Sequence, residues 1–101
     1  MFKIMRVPLI AKPGKPVVFE APLLPLSRRL VRVMFNDLGN PMLFYHVRAD
    51  DERHHRVVFR LFEIDELAEA GWSPCYVFQE AEIGEGYTQP RRVWVLMEKG
   101  M

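Results

Sequence analysis

The sequence predicts an all-β fold: a small antiparallel β-sandwich or partly open barrel of about seven short strands, with one short helix. Two observations lead to this prediction. Runs rich in β-branched and aromatic residues alternate with turn-forming residues at intervals of about 8–12 residues, the spacing typical of small β-domains. The chain of 101 residues is also short enough to form a single domain, spanning residues 1–101, with one modest core.

The central element is a predicted β-hairpin over residues 29–48. Strand-forming runs at residues 30–35 and 42–47 flank a polar break at residues 36–41, where Asn and Gly allow the chain to reverse. Pro41 suits the start of the return strand, since proline has no N–H to donate inside a ladder. Apolar residues occur on both faces of both strands, so we expect both faces to be at least partly covered.

Two short strands and a loop rich in Pro and Gly precede the hairpin. Pro8 predicts that the first strand lies at a sheet edge or ends there. Residues 21–27 are expected to cross the domain, with Leu23, Leu24 and Leu26 capping one end of the core. The predicted strands cover residues 2–10 and 17–20, and the loop covers residues 11–16.

Three strands and the helix follow the hairpin. Val57, Phe59 and Leu61 alternate with polar residues, which predicts that they face inward. Asp65 as a cap and Gly71 as a stop predict a helix of about two turns. The strands are predicted at residues 56–64, 75–83 and 91–98, and the helix at residues 65–71. The predicted core consists of Val33, Phe35, Leu43, Val57, Phe59, Val77, Val93 and Val95.

Charge is distributed unevenly along the chain, although the net charge is only +1. Residues 1–60 carry eleven Lys and Arg against five Asp and Glu, a net charge of +6. Residues 61–90 carry seven acidic residues and no basic residue, and residues 91–101 return +2. The folded domain should therefore present faces of opposite sign unless strand pairing mixes the two segments.

Composition argues against several classes of protein. No apolar run approaches the roughly 20 residues of a membrane span, and the first residues lack the apolar core of a signal peptide. A single cysteine, Cys75, excludes an internal disulfide and fits a reducing cytosol. We therefore expect a cytoplasmic protein with no membrane partner.

The motifs of a metal site or a nucleophilic site are also missing from the sequence. His46, His54 and His55 lack the spacing of zinc ligands, and the last two fall in a charged segment that predicts a solvated turn. Cys75 has no catalytic signature around it and is expected to be a small buried residue. We expect no metal, no cofactor and no enzymatic activity.

Strand and turn motifs follow a particular order along most of the chain, from an aromatic–Lys strand that ends in proline to a closing Val-Trp strand. The residues concerned are Phe2-Lys3 through Pro8, residues 17–22, residues 30–47 with Gly39, Tyr76-Val77, Gly84 with Gly86, and Val93-Trp94. This order resembles that of small uncharacterised all-β proteins carried by bacteriophages. The chain differs at Phe44-Tyr45, where those proteins often have a tryptophan, and at Val95, where they often have a histidine. The resemblance implies a phage origin, an all-β fold and action in the host bacterial cytosol, and it brings no catalytic residues with it.

The expected function is that of a non-enzymatic protein that binds a host protein, such as a defence effector or a transcription component, and inhibits or redirects it. Carboxylates around aromatic residues suit a basic partner surface, since opposite charges orient the encounter and aromatic rings supply contact energy. Short edge strands and apolar hairpin faces also predict a homodimer or higher oligomer. The predicted partner-binding residues are Tyr76, Phe78, Glu80, Glu82, Glu85 and Tyr87.

Two alternatives remain open. The first is an oligomeric pocket protein that sequesters a small signalling nucleotide, with arginines, Trp94 and Tyr87 forming the pocket. The second is a nucleic-acid-binding module, in which arginines and aromatic side chains share a surface. Pairing between Arg and Glu on neighbouring strands would instead remove the arginines from either site. The patch considered for both consists of Arg32, Arg48, Arg56, Arg60, Arg92 and Trp94.

Overall fold

The computed structural model describes residues 1–14, 17–37, 40–79 and 92–100, and these form ten strands in three antiparallel sheets. The all-β prediction is confirmed. No helix in these ranges is long and apolar enough to span a membrane, and no sheet closes into a barrel within them. The strands are β1 (Phe2–Pro8), β2 (Ile10–Ala11), β3 (Val18–Glu20), β4 (Leu24–Pro25), β5 (Arg29–Phe35), β6 (Pro41–Arg48), β7 (His54–His55), β8 (Val57–Glu63), β9 (Ser73–Gln79) and β10 (Val93–Gly100).

The first sheet has three strands in the order β1-β6-β5. Strands β5 and β6 form the predicted hairpin, and Pro41 is the first residue of β6, a position that proline tolerates. β1 lies at the edge of this sheet, as Pro8 predicts. A bulge at Val31 shifts the register of β5, so that Arg29 and Arg32 both pair with residues on one face of β6.

The second sheet has five strands in the order β2-β3-β8-β10-β9, and the third is the short pair β4-β7. β8 occupies the middle of the second sheet, and β9 lies at its edge. The turn predicted over residues 50–55 ends earlier than expected, because His54 and His55 form β7 and pair with Pro25 and Leu24 of β4.

The inner faces of the first and second sheets share one core. Leu43 of β6, Phe59 of β8 and Leu96 of β10 are fully buried in it. Because side chains alternate along a strand, every second residue of β6 faces this core. The core residues are Val7, Leu9, Phe19, Leu24, Val33, Leu43, Tyr45, Val47, Val57, Phe59 and Leu96.

Two predicted core residues are exposed. Phe35 is 42% exposed because it lies on β5, an edge strand, and Val77 is 56% exposed because it lies on the face of β9 away from the core. Val93 is only half-buried. Of the three leucines expected to cap the core, only Leu24 is buried. Val33, Leu43, Val57 and Phe59 are buried in this core, as predicted; Val95 is also buried, but on the face of β10 opposite to Leu96, where it pairs with Phe62.

The helix predicted over residues 65–71 is wrong, since this segment contains turns and irregular chain but no helical residue. Asp65 has a φ of 71° and Gly71 a φ of 101°, and a right-handed helix does not continue through positive φ. An isolated helix of about two turns is only marginally stable, so tertiary contacts decide the conformation of such a segment.

Trp72, the residue that follows this segment, covers part of the outer face of the second sheet. Phe62 lies on the face of β8 opposite to Phe59 and is nevertheless fully buried. The ring of Trp72 packs edge-on against Phe62, with 5.4 Å between ring centroids. Oε2 of Glu66 accepts a hydrogen bond from Nη2 of Arg60 at 2.7 Å. Trp72 and Arg60 therefore cover Phe62, whereas the side chains of residues 65–71 are exposed.

Phe59→Ala should lower the free energy of unfolding by about 3–5 kcal/mol, the usual cost of emptying a buried aromatic position. Phe2→Ala serves as the control, because the ring of Phe2 is 58% exposed and its loss should cost less than about 1 kcal/mol. Denaturant unfolding of both variants measures the difference. Equal midpoints for both variants and the wild type would contradict the assigned orientation of β8.

Gly71→Ala should destabilise the fold by about 1–3 kcal/mol, since a side chain at positive φ is strained. The added Cβ would also lie 3.3 Å from Cε of Lys99. Gly100→Ala is the matched control, because a Cβ there meets nothing within 4 Å. Thermal unfolding compares the two, and equal melting temperatures would be inconsistent with the observed turn at Gly71.

Candidate functional site

Three aromatic side chains join the edge strands of the two larger sheets. The rings of Phe35 on β5 and Phe78 on β9 have centroids 4.7 Å apart, at an interplanar angle of 51°. Tyr76 stacks on Phe78 with a centroid distance of 6.3 Å. Phe35 and Tyr76 are 42% and 38% exposed, and Phe78 is half-buried. We call Phe35, Tyr76 and Phe78 the aromatic cluster.

The face of β9 that packs against the core is not the predicted one. Tyr76 pairs with Leu96 and Phe78 with Trp94, and Leu96 belongs to the core. The two aromatic side chains therefore lie on the core side of the sheet, and Val77 lies on the other side. They remain partly exposed because β9 is the last strand of its sheet.

The structure brings together only part of the predicted partner-binding surface. Tyr76 and Phe78 lie side by side, and Phe35, which was predicted as a core residue, joins them. The other predicted members, Glu80, Glu82, Glu85 and Tyr87, lie outside the described residues.

Three of the six residues considered for a basic patch lie beside Glu63, the last residue of β8, or Glu66, which follows β8. Nη2 of Arg60 lies 2.7 Å from Oε2 of Glu66, and Nη1 of Arg92 lies 3.6 Å from Oε1 of Glu63. Trp94 pairs with Glu63 across β8 and β10. This arrangement agrees with pairing between Arg and Glu rather than with a basic site.

The other three residues lie elsewhere, so the six do not form one patch. Arg32 and Arg48 belong to the first sheet, on its face away from the core. Nη2 of Arg48 lies 3.3 Å from Oδ2 of Asp50. Arg56 precedes β8 and lines a cavity of about 410 Å³ together with Lys12.

A second cavity, of about 410 Å³, lies where strands of all three sheets meet. We call it the junction cavity. A pocket was predicted around Trp94, but Trp94 lines neither of these two cavities. The junction cavity is lined by Leu26, Arg28, Leu30, Tyr45, His55, Pro74, Cys75 and Glu98.

Arg28 is the centre of the polar contacts in the junction cavity, and its side chain is only 10% exposed. Nη2 donates to Oε2 of Glu98 at 3.2 Å. Nη1 donates to the carbonyl oxygen of Pro25 at 3.1 Å and also to Nε2 of His55. Because a guanidinium has no acceptor, Nε2 of His55 can only accept in this contact. Arg28 therefore links the third sheet to the second.

Cys75 and Tyr45 both remain protonated in the junction cavity at neutral pH. Burial raises the pKa of the Cys75 thiol to about 12, and the negative charge of Glu98 adds to this effect. Burial, again with Glu98, raises the pKa of the Tyr45 hydroxyl. A protonated thiol is a poor nucleophile, so Cys75 and His55 do not form an activated pair.

The junction cavity could not be found from the sequence. Its two opposite charges, Arg28 and Glu98, are 70 residues apart, and nothing in either segment indicates the other. The only signal is the presence of a charged residue beside apolar strand residues in both places. Within the described ranges, no group of three or more His, Cys, Asp or Glu side chains is arranged to hold a metal ion.

Asp51 connects the turns that place Arg28 and His55. Its Oδ2 accepts a hydrogen bond from the backbone N–H of Ser27 at 2.9 Å. Its Oδ1 accepts from the backbone N–H of Arg53 at 3.0 Å and from Nε of the same residue at 3.1 Å. Hydrogen bonds from Ser27 first, and then from Arg53, hold the pKa of Asp51 well below its usual range.

Asp51 should make the stability of the fold depend on acid. Because its pKa is depressed in the folded state, the unfolded chain binds the proton first, at about pH 3.9. The stabilisation by Asp51 is therefore complete above that pH and is lost as the pH falls below it. Denaturant unfolding at about pH 7 and about pH 3 should show the difference between wild type and Asp51→Asn shrinking in acid. Glu52→Gln is the control, and a difference for Asp51→Asn that does not change with pH would contradict the prediction.

A scan against protein-family models finds no match, and searches of curated proteins and of solved structures find none either. The phage origin implied by the resemblance therefore stays a prediction, and the functional argument depends on the geometry of the chain itself.

Proposed function

We propose that this chain is a non-enzymatic interaction protein with a small β-sandwich fold, which binds a partner protein and inhibits or redirects it. The observation that supports this proposal is the aromatic cluster. Three rings contact one another across the edges of two sheets, and they remain partly exposed to solvent.

The chemistry of the aromatic cluster suits a protein interface. Tyr and other large aromatic residues supply much of the contact energy at interfaces when a partner covers them. The rings of Phe35, Tyr76 and Phe78 already pack on one another, so binding would order few additional side chains. The edge of a sheet also offers backbone groups to an added strand, and β10 is the only strand that pairs with β9 among those described.

The charge of the following segment suggests the chemistry of the partner. Glu80, Glu82 and Glu85 come directly after β9 in the sequence. Acidic residues beside an aromatic contact favour a basic partner surface, which increases the encounter rate and fixes orientation. A host defence effector or transcription component in the bacterial cytosol has such a surface where it holds nucleic acid. The alternative is that a second copy of this chain covers the aromatic cluster. Light scattering of the purified protein would then give a mass of two chains or more.

Capture from bacterial lysate by the immobilised chain, followed by direct affinity measurement with the purified partner, tests the proposal. Tyr76→Ala should weaken binding about tenfold or more, as expected for an aromatic interface residue. The melting temperature should change little, because Tyr76 is already 38% exposed. Ile10→Ala is the matched control: Ile10 is 65% exposed and lies on β2, at the opposite edge of the same sheet.

Charge reversal tests the acidic part of the same surface. Glu80→Lys, Glu82→Lys and Glu85→Lys together should reduce partner binding without a change in melting temperature. A lowered melting temperature with unchanged binding of the folded fraction would show that these carboxylates pair within the fold. Equal losses for Tyr76→Ala and Ile10→Ala would contradict a role for the aromatic cluster.

A further inference from the structure

The outer face of the first sheet carries rows of arginine and aromatic side chains. Phe44 of β6 pairs with Arg6 of β1 on one side and with Arg32 of β5 on the other. Two residues further along β6, His46 pairs with Arg29 on one side and with the exposed Ile4 on the other. Directly paired residues of antiparallel strands lie on the same face of a sheet, so these rows lie side by side. We call this surface the basic face, and it consists of Phe2, Arg6, Arg29, Arg32, Phe44, His46 and Arg48.

The basic face points to solvent because the alternate residues of the same strands form the core. Val7, Leu43 and Val33 pair across the three strands, and all three are buried. The neighbouring positions must therefore point outward. Phe44 and His46 are half-buried between their neighbours, and the exposed residues are Phe2, Arg6, Arg29, Arg32 and Arg48.

Charge on this sheet has one sign. β1, β5 and β6 contain one lysine and four arginines, and no Asp or Glu. Arg48 pairs with Asp50, which follows β6. Arg6, Arg29 and Arg32 make no ion pair with any residue that the structure describes. The acidic residues that balance the net charge of +1 lie in other parts of the chain.

The aromatic residues of the basic face are placed between its arginines. Phe44 has an arginine directly beside it on each neighbouring strand. The rings of Phe2 and His46 stack nearly parallel, at 13° and 4.7 Å between centroids, and Phe2 is 58% exposed. Proteins that bind single strands combine a cationic track for the backbone with aromatic rings on which bases stack.

We infer that the basic face binds single-stranded nucleic acid, with phosphate groups on its arginines and bases against Phe44 and the Phe2–His46 pair. A duplex keeps its bases stacked inside the helix, so the aromatic residues of a flat sheet favour a single strand. This surface shares no residue with the aromatic cluster, and the inference goes beyond the proposed function.

Fluorescence anisotropy with labelled oligonucleotides tests the inference. The probes are oligo-dT and oligo-rU of about 12 nucleotides, within the site sizes found for small β-domains, and a duplex of the same length. We expect tighter binding of the single strands than of the duplex. The logarithm of the affinity should fall linearly with the logarithm of salt concentration, with a slope of about −0.7 for each phosphate contact.

Substitutions separate the charge and stacking contributions. Arg6→Gln with Arg32→Gln should make the salt slope shallower by about 1.4, the loss of two phosphate contacts. Phe44→Leu should weaken single-strand binding about 5- to 150-fold, the effect of losing one stacked base. Phe2→Ala, at an exposed ring, tests stacking again without a risk to the core. Arg92→Gln is the control, because Arg92 is also exposed but lies just before β10 of the second sheet, beside Glu63.

Several outcomes would overturn the inference. One is absence of single-strand binding at low salt. Another is a loss for Arg92→Gln as large as that for the Arg6 and Arg32 variant. A third is binding of polyglutamate as tight as that of the oligonucleotides and unaffected by Phe44→Leu and Phe2→Ala, which would identify a surface for acidic proteins. Tyr76→Ala should leave oligonucleotide affinity unchanged, so this test fails or succeeds independently of the proposed protein interface.

Discussion

Burial of Leu43, Phe59 and Leu96 between the two larger sheets is the constraint on which the rest of the structure depends. Side chains alternate along a strand, so the set of residues that enters the core commits the other set to the outer face. On β6 the residues placed on the outer face include Phe44 and His46. The chemistry of the protein surface is therefore a consequence of how its core is packed.

The two proposed binding surfaces lie on different elements and have different chemistry. The aromatic cluster occupies the opening between the sheets, whereas the basic face covers the outside of the first sheet. Glu66 and Glu63 pair with Arg60 and Arg92, whereas the strands of the first sheet contain no acidic residue. Together the two proposals describe a chain that contacts a basic protein and a nucleic acid, the two components of one kind of complex.

Local patterns predicted the fold better than the sites. The hairpin, the role of Pro41 and the edge position of β1 follow from turn chemistry, which acts over a few residues. The segment after Asp65 was misassigned because cap signals around about two turns are too weak to hold a helix by themselves, and its side chains are exposed rather than packed. Strand order and register determine the orientation of β9, the junction cavity and the rows of the basic face. The alternation of apolar and polar residues within one strand carries no information about either. Even so, the placement of Arg6 and Phe44 on the same side of the sheet needed only the pairing of β1 with β6.

The bulge at Val31 makes the charge pattern of β5 depend on the number of residues as well as on their identity. Arg29 and Arg32 are three positions apart and would point to opposite faces of a regular strand. The extra residue brings both to one face. Its own side chain is 59% exposed and can vary widely at little cost. Loss of that residue, however, would turn Arg29 toward the core and Leu30 toward solvent. Position 31 therefore tolerates many different side chains but requires that a residue be present. An insertion or deletion there would alter the surface more than most substitutions.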